Sequence, residues 1–162
     1  MRPKKATAKR RHIRLPKGRK DQVHAQFGAL CYRVRDGKLQ VLLTTGRRSK
    51  AWIVPKGWPI RNSTGPESAM REAYEEAGVV GKITGGCIGA YVHLPSRFKI
   101  RLPRLVAVYP LKVRSLRTHF PETGQRKRKW FSAKKAAKKV ANPELSALIA
   151  GFDPPHRPKR RG

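Results

Sequence analysis

Acidic residues are scarce in this chain: nine Asp and Glu stand against thirty-nine Lys and Arg among 162 residues, a formal charge of +30. Such a field attracts polyanions, whether nucleic acid, an anionic membrane or a polyphosphorylated substrate; the plainer alternative is charge that keeps the protein soluble. Long apolar runs are missing too. Nothing approaches the roughly 20 residues that a membrane helix needs, which speaks against a membrane span. No apolar stretch follows the first charges, so the start does not read as a secretory signal. Cysteine is limited to Cys31 and Cys87. Both lie in apolar, strand-like segments, so two buried, reduced thiols in a cytoplasmic protein are expected rather than a disulfide. No Cys or His spacing has the form of a zinc site, and no GxxxxGK[ST] loop is present, which disfavours a P-loop ATPase.

The length suits one domain with a packed interior, since 38% of the residues are hydrophobic. Residues 1–20 carry ten Lys or Arg and no acid. Pro3, Pro16 and Gly18 interrupt them, and they read as a disordered basic arm. Residues 153–162 read as a second basic tail. With residues 1–20 and 155–162 set aside, twenty-five basic and nine acidic residues remain, about +16 for the body itself.

The body, residues 21–152, alternates strand and helix signals. Residues 26–35 read as a strand, Asp36-Gly37 as a hairpin turn and residues 39–44 as the returning strand. Residues 51–54 form a short strand stopped by Pro55. Residues 66–77 read as a helix, with Pro66 in its first turn and Gly78 ending it. Residues 83–94, 105–113 and 129–131 read as strands, and residues 132–140 and 143–150 as helices. Strands around one central helix point to a mixed α/β or α+β class.

Four of the nine acids, Glu67, Glu72, Glu75 and Glu76, fall within ten residues of one helix. On a wheel of about 100° per residue, Met70, Ala73, Tyr74 and Ala77 form the expected core stripe. Glu72, Glu75 and Glu76 share the opposite face. Three carboxylates so placed repel one another unless a cation neutralises them, and hard oxygen donors suit Mg²⁺ or Mn²⁺. Arg71, four residues before Glu75, is placed to pair with a carboxylate. A solvated charged face is the competing reading of these residues alone. The segment Trp52-Ile-Val-Pro-Lys-Gly57, just ahead of the helix, favours a site, because it can bring backbone carbonyls beside the carboxylates.

These residues resemble the Nudix signature: Gly, five residues, Glu, seven residues, Arg-Glu, an apolar residue, any residue, Glu-Glu, any residue, Gly and an apolar residue. Gly57 opens it, and Arg71-Glu-Ala-Tyr-Glu-Glu-Ala-Gly-Val79 completes it at the same spacing. One position departs: Ser63 stands where the family has its first Glu, and Glu67 is a nearby acid at a different spacing. The resemblance implies a Nudix fold, an α/β/α sandwich of the α+β class with a mixed sheet and a central catalytic helix. Around Trp52 and Lys129-Trp-Phe131 it runs to the diphosphoinositol polyphosphate phosphohydrolase branch, which acts on inositol pyrophosphates and diadenosine polyphosphates.

The resemblance implies hydrolysis of a phosphoanhydride bond with Mg²⁺, or Mn²⁺, as cofactor. Glu72, Glu75 and Glu76 would hold the metal with a carbonyl near Gly57, and Arg71 joins them in the catalytic set. One glutamate would instead serve as general base, and the sequence does not choose which. Arg47, Arg48, Lys50 and Lys56 flank the Trp52 segment and are candidates to grip substrate phosphates; a solvated basic loop is the alternative. Lys99 and Arg101, alternating on one strand face, are weaker candidates. Two other readings compete: a nucleic-acid-binding protein on the same scaffold, supported by the two tails and the Arg126-Lys-Arg-Lys129 cluster, and a hydrolase of nucleoside triphosphates or nucleotide sugars.

Overall fold

A computed structural model describes residues 24–94 and 103–155. The expected basic arm, Lys99, Arg101 and most of the expected tail lie outside the described residues. Within them the chain runs β1 (His24–Arg35), β2 (Lys38–Thr45), β3 (Trp52–Ile53), β4 (Lys56–Gly57), α1 (Gly65–Ala77), β5 (Val79–Ile83), β6 (Gly89–His93), β7 (Arg104–Leu116), β8 (Arg128–Ser132), α2 (Ala133–Lys139) and α3 (Pro143–Ala150).

The strands form one mixed sheet with the order β3-β2-β1-β7-β5. At its centre β1 and β7 pair in parallel, while the other pairings are antiparallel. Asp36 and Gly37, both at positive φ, close the β1–β2 hairpin as the Asp-Gly pair predicts. Strand β1 is covered on both faces. Ala29 and Cys31 pack with Leu42, Leu111 and the α1 alanines Ala69, Ala73 and Ala77. Leu30 points the other way, to Val41, Leu43, Val106, Val108 and the α2 and α3 residues Ala136, Leu145 and Ile149. Side chains that alternate along a strand therefore build two cores. The result is helix, sheet, helix: the expected α/β/α sandwich.

The elements differ from the sequence reading in four ways. First, the expected strand over residues 83–94 is two strands: β5 ends at Ile83, and β6 begins at Gly89. Both lie along β7, and Thr84 between them donates its N–H to the Pro110 carbonyl (3.0 Å). Second, Lys56 and Gly57, read as loop, form β4 against Gly28 and Phe27 of β1. Third, the thiols are unpaired as expected, but only Cys31 is buried; Cys87 is exposed. The fourth correction is the orientation of α1. Its buried residues are Ser68, Ala69, Glu72, Ala73, Glu76 and Ala77, and Tyr74 is 40% exposed. The three alanines bring the helix close to the sheet, and this rolls two glutamates inward under β4 instead of outward to solvent.

Candidate functional site

The site is assembled where the β3–β4 segment crosses the front of α1. The helix begins where it does because of a reciprocal cap. The Thr64 hydroxyl accepts the Glu67 N–H (3.2 Å), and the Glu67 carboxylate accepts the Thr64 N–H (3.4 Å). Gly78 ends it at φ 66°, its N–H bonded to the Tyr74 carbonyl (2.8 Å). The loop ahead is tied to the first turn by the Ile60 N–H, which donates to Ser68 Oγ (3.2 Å). Ser63, at the family's first Glu position, is a turn residue whose N–H reaches the Ile60 carbonyl. Glu67 does not stand in for that Glu: its carboxylate is engaged at the exposed helix start.

Glu72 and Glu76 lie one turn apart on the buried side of α1, 4% and 6% exposed. Gly57 explains how Glu72 fits. A Cβ there would come within 2.6 Å of both its carboxylate oxygens, so the carboxylate rests directly on the β4 backbone. Glu76 accepts the Lys56 N–H through Oε2 (3.4 Å), and its Oε1 lies 3.5 Å from Arg126 Nη2. Burial pushes the Glu76 pKa up to about 8; Arg126 opposes that rise, and Glu72 and Glu122 add to it. Burial pulls the Lys56 ammonium down, and Glu76 resists. Glu75 is half-buried, and Arg71 is exposed.

Glu122 and Arg126, which the sequence reading did not place here, complete the acidic side. The Glu122 N–H donates to the Glu75 carbonyl (3.0 Å). The Glu122 carboxylate lies 3.4 Å from Arg47 Nε and 3.6 Å from Arg126 Nη2. Arg47 is thus at the rim, while Arg48 and Lys50 are exposed on the loop before β3. Of the four expected phosphate ligands, Lys56 donates its backbone N–H to the buried Glu76 carboxylate.

A basic cluster lies beside β4. Strand pairing sets His24, Arg104 and His93 in one row over β1, β7 and β6. The Arg104 guanidinium stands 5.0 Å from the Trp58 ring centroid, and the His24 ring meets Trp58 edge-on at 5.7 Å. His24 Nε2 is buried without a hydrogen-bond partner. Burial, then Lys56, then Arg104 lower the His93 pKa to about 4. One site therefore sets buried carboxylates beside crowded cations, an arrangement suited to a metal–phosphate ligand.

The Arg126–Lys129 run is divided: Lys127 and Lys129 are exposed, while Arg126 and Arg128 are partly buried. Arg126 is turned inward. Arg128 donates to the Ala77 carbonyl and lies over Phe120 at 5.1 Å, and Lys129 lies over Phe131.

The donor chemistry fits a hard divalent cation. Two buried carboxylates, a third half-buried one and the backbone at Gly57 would offer a cation oxygen donors alone. Among the described residues, no three His, Cys, Asp or Glu side chains converge closely enough to hold a metal ion as they stand.

A family model described as the NUDIX domain matches residues 24–152. The chain is 29% identical over 133 residues to Nudix hydrolase 21, chloroplastic, of Arabidopsis thaliana, covering 77% of this chain and 64% of that protein. It is 32% identical over 111 residues to human diphosphoinositol polyphosphate phosphohydrolase 3-beta, covering 67% and 64%. The match thus spans just under two thirds of the length of both relatives. Among solved structures, a C. elegans Ap4A hydrolase superposes with a TM-score of 0.61 at 22% identity, over 80% of this chain and 95% of that one; that likeness bears on the fold. No helix among the described residues is long and apolar enough to cross a membrane.

Proposed function

The chain belongs to the NUDIX domain family, and from that premise we propose that it hydrolyses a phosphoanhydride bond in a polyphosphorylated small molecule. The observation that carries this reading is the buried Glu72–Glu76 pair under β4, Glu72 against Gly57 and Glu76 bonded to the Lys56 N–H, with Lys56, His93 and Arg104 close by. Glu72, Glu75 and Glu76 would hold Mg²⁺ or Mn²⁺, with the backbone near Gly57 contributing. Such an ion, when bound, polarises a phosphoryl oxygen and lowers the pKa of a bound water.

The protein's own groups do the rest. Lys56 and Arg104 draw the phosphates to the carboxylates and spread their charge. Trp58 walls one side and orients Arg104. Arg47 closes the rim, with Arg48 and Lys50 adding attraction from the exposed loop. Arg71 keeps its place in the signature beside the helix carboxylates. A glutamate of the cluster, with Glu122 now among them, takes the proton from the attacking water.

The substrate reading is a ligand with several phosphates, such as a diphosphoinositol polyphosphate or diadenosine polyphosphate. The human relative is named for the first of these, and the basic cluster offers more cations than a single diphosphate needs. Steady-state kcat/KM is expected to favour such ligands over nucleoside triphosphates and nucleotide sugars, with the margin shrinking as salt rises. A nucleoside triphosphate that wins at both low and high salt defeats the substrate reading and leaves the hydrolase reading standing. A cytoplasmic setting belongs to the same proposal, on the two unpaired thiols.

The basic cluster makes a prediction independent of turnover. Inositol hexakisphosphate, added as a non-cleaved anion, is expected to raise the His93 pKa from about 4 toward the ordinary imidazole range, because its charge offsets Lys56 and Arg104. A side-chain NMR titration of His93 reads this directly. An unchanged titration curve at saturating anion would remove the basic row from the binding site.

A further inference from the structure

Arg126 occupies an unusual position for an arginine in so basic a chain. It is 10% exposed, and its Nη2 stands 3.5 Å from Glu76 and 3.6 Å from Glu122. Its Nη1 donates to the Thr45 carbonyl (3.2 Å), while the Lys127 N–H donates to Thr45 Oγ1 (2.9 Å). The arginine is therefore fixed to the end of β2 and reaches across to α1. One guanidinium nitrogen joins carboxylates from two separate segments. Its Nε is buried with no hydrogen-bond partner, which a group with five donors leaves unmade only at a cost.

We infer that Arg126 is the built-in counter-ion of the carboxylate site, which a divalent cation must displace from Glu76 before the carboxylates can gather as ligands. The proposal rests on the reading that this helix binds a divalent cation. Two facts favour exchange over a fixed structural bridge. The bridging contacts to Glu76 and Glu122 are long for charge-assisted hydrogen bonds, which run about 2.7–2.9 Å. Moreover, the Arg126 Nε stays buried without a hydrogen-bond partner in this arrangement. A cation arriving at Glu76 would take over its compensation. Arg126, still anchored at Thr45, would keep Glu122 and turn its spare donors to other acceptors in the site. The same side chain thus sets a threshold for metal binding in the absence of substrate.

The test measures Mn²⁺ binding to the full chain by EPR, without substrate and under argon. Arg126→Gln is expected to bind Mn²⁺ at least about fivefold more tightly than wild type, because an uncompensated buried carboxylate gains most from a cation. Arg126→Lys, which keeps the charge but cannot bridge in the same way, should fall between them. Equal or weaker binding in Arg126→Gln, with wild-type binding intact, overturns the counter-ion role alone. Wild-type binding that Glu72→Gln leaves untouched overturns the metal reading and this proposal together. Should Arg126→Gln fail to fold, the wild-type protein still decides. Its Arg126 Nε–H NMR signal, assigned by its loss in Arg126→Lys, is expected to move on addition of Mg²⁺. A signal that stays in place at saturating Mg²⁺ overturns the proposal.

Discussion

Gly57→Ala is expected to lower kcat by about ten- to hundredfold, the range seen when a group that orients a metal ligand is lost. One methyl group is enough because of where it lands. It would lie within 2.6 Å of both oxygens of the Glu72 carboxylate, closer than real Cβ contacts allow. Backbone freedom is not the issue, since Gly57 is not among the residues at positive φ. Something must move: either Glu72 swings from its buried place, or β4 lifts from its pairing with Phe27 and Gly28. Overpacking of this kind costs about 1–3 kcal/mol, which the two cores can absorb, so the variant should remain folded. Turnover, the Mg²⁺ concentration for half activity and Tm, measured together, separate these effects. Near-normal turnover with unchanged Mg²⁺ dependence would show that the Gly57–Glu72 contact has no part in the chemistry.

The signature residues are legible in the sequence because they are local. Gly57 and the Arg71–Val79 run lie on one short segment at fixed spacing. The same holds for α3, which spans Pro143–Ala150 as its sequence predicts, with an Asn142 cap accepting the Leu145 N–H. The helical wheel is what fails. Hydrophobicity alone places Tyr74 inside and Glu72 outside, yet a site that buries carboxylates inverts that ranking, and alanines tolerate more than one roll angle. Strand β4 escapes a sequence reading because two residues carry no alternation to detect. Glu122, Arg126, Arg104 and His93 arrive from distant parts of the chain through the β1–β7, β6–β7 and β2–β8 pairings, which no local pattern encodes. One clue is present for Glu122: in a chain with nine acids, an acid placed between Pro121 and Thr123 invites the question of what it neutralises.

Glu76→Gln is expected to reduce kcat by at least about a hundredfold, through loss of a metal ligand and of the negative charge that the cation compensates. The amide keeps the shape of the carboxylate, so the comparison is about charge rather than packing. Stability should move little, by less than about 1 kcal/mol. The reason lies in the opposing effects at this position. Burial penalises the ionised form strongly enough to lift its pKa to about 8, while Arg126 supplies only part of the compensation. A neutral amide escapes that penalty, can still accept the Lys56 N–H as Glu76 does, and gives up the pairing with Arg126. The structural consequences nearly cancel, and the catalytic ones do not. Circular dichroism and Tm establish that the variant is folded, and kcat at saturating Mg²⁺ against a polyphosphorylated substrate measures the loss. Glu67→Gln is the matched control. It removes a carboxylate from the same helix, but at the exposed cap with Thr64, so it should cost some helix stability and leave kcat within about twofold. If the two variants lose activity equally, the buried carboxylates act through bulk charge and the proposed metal role of Glu76 is wrong.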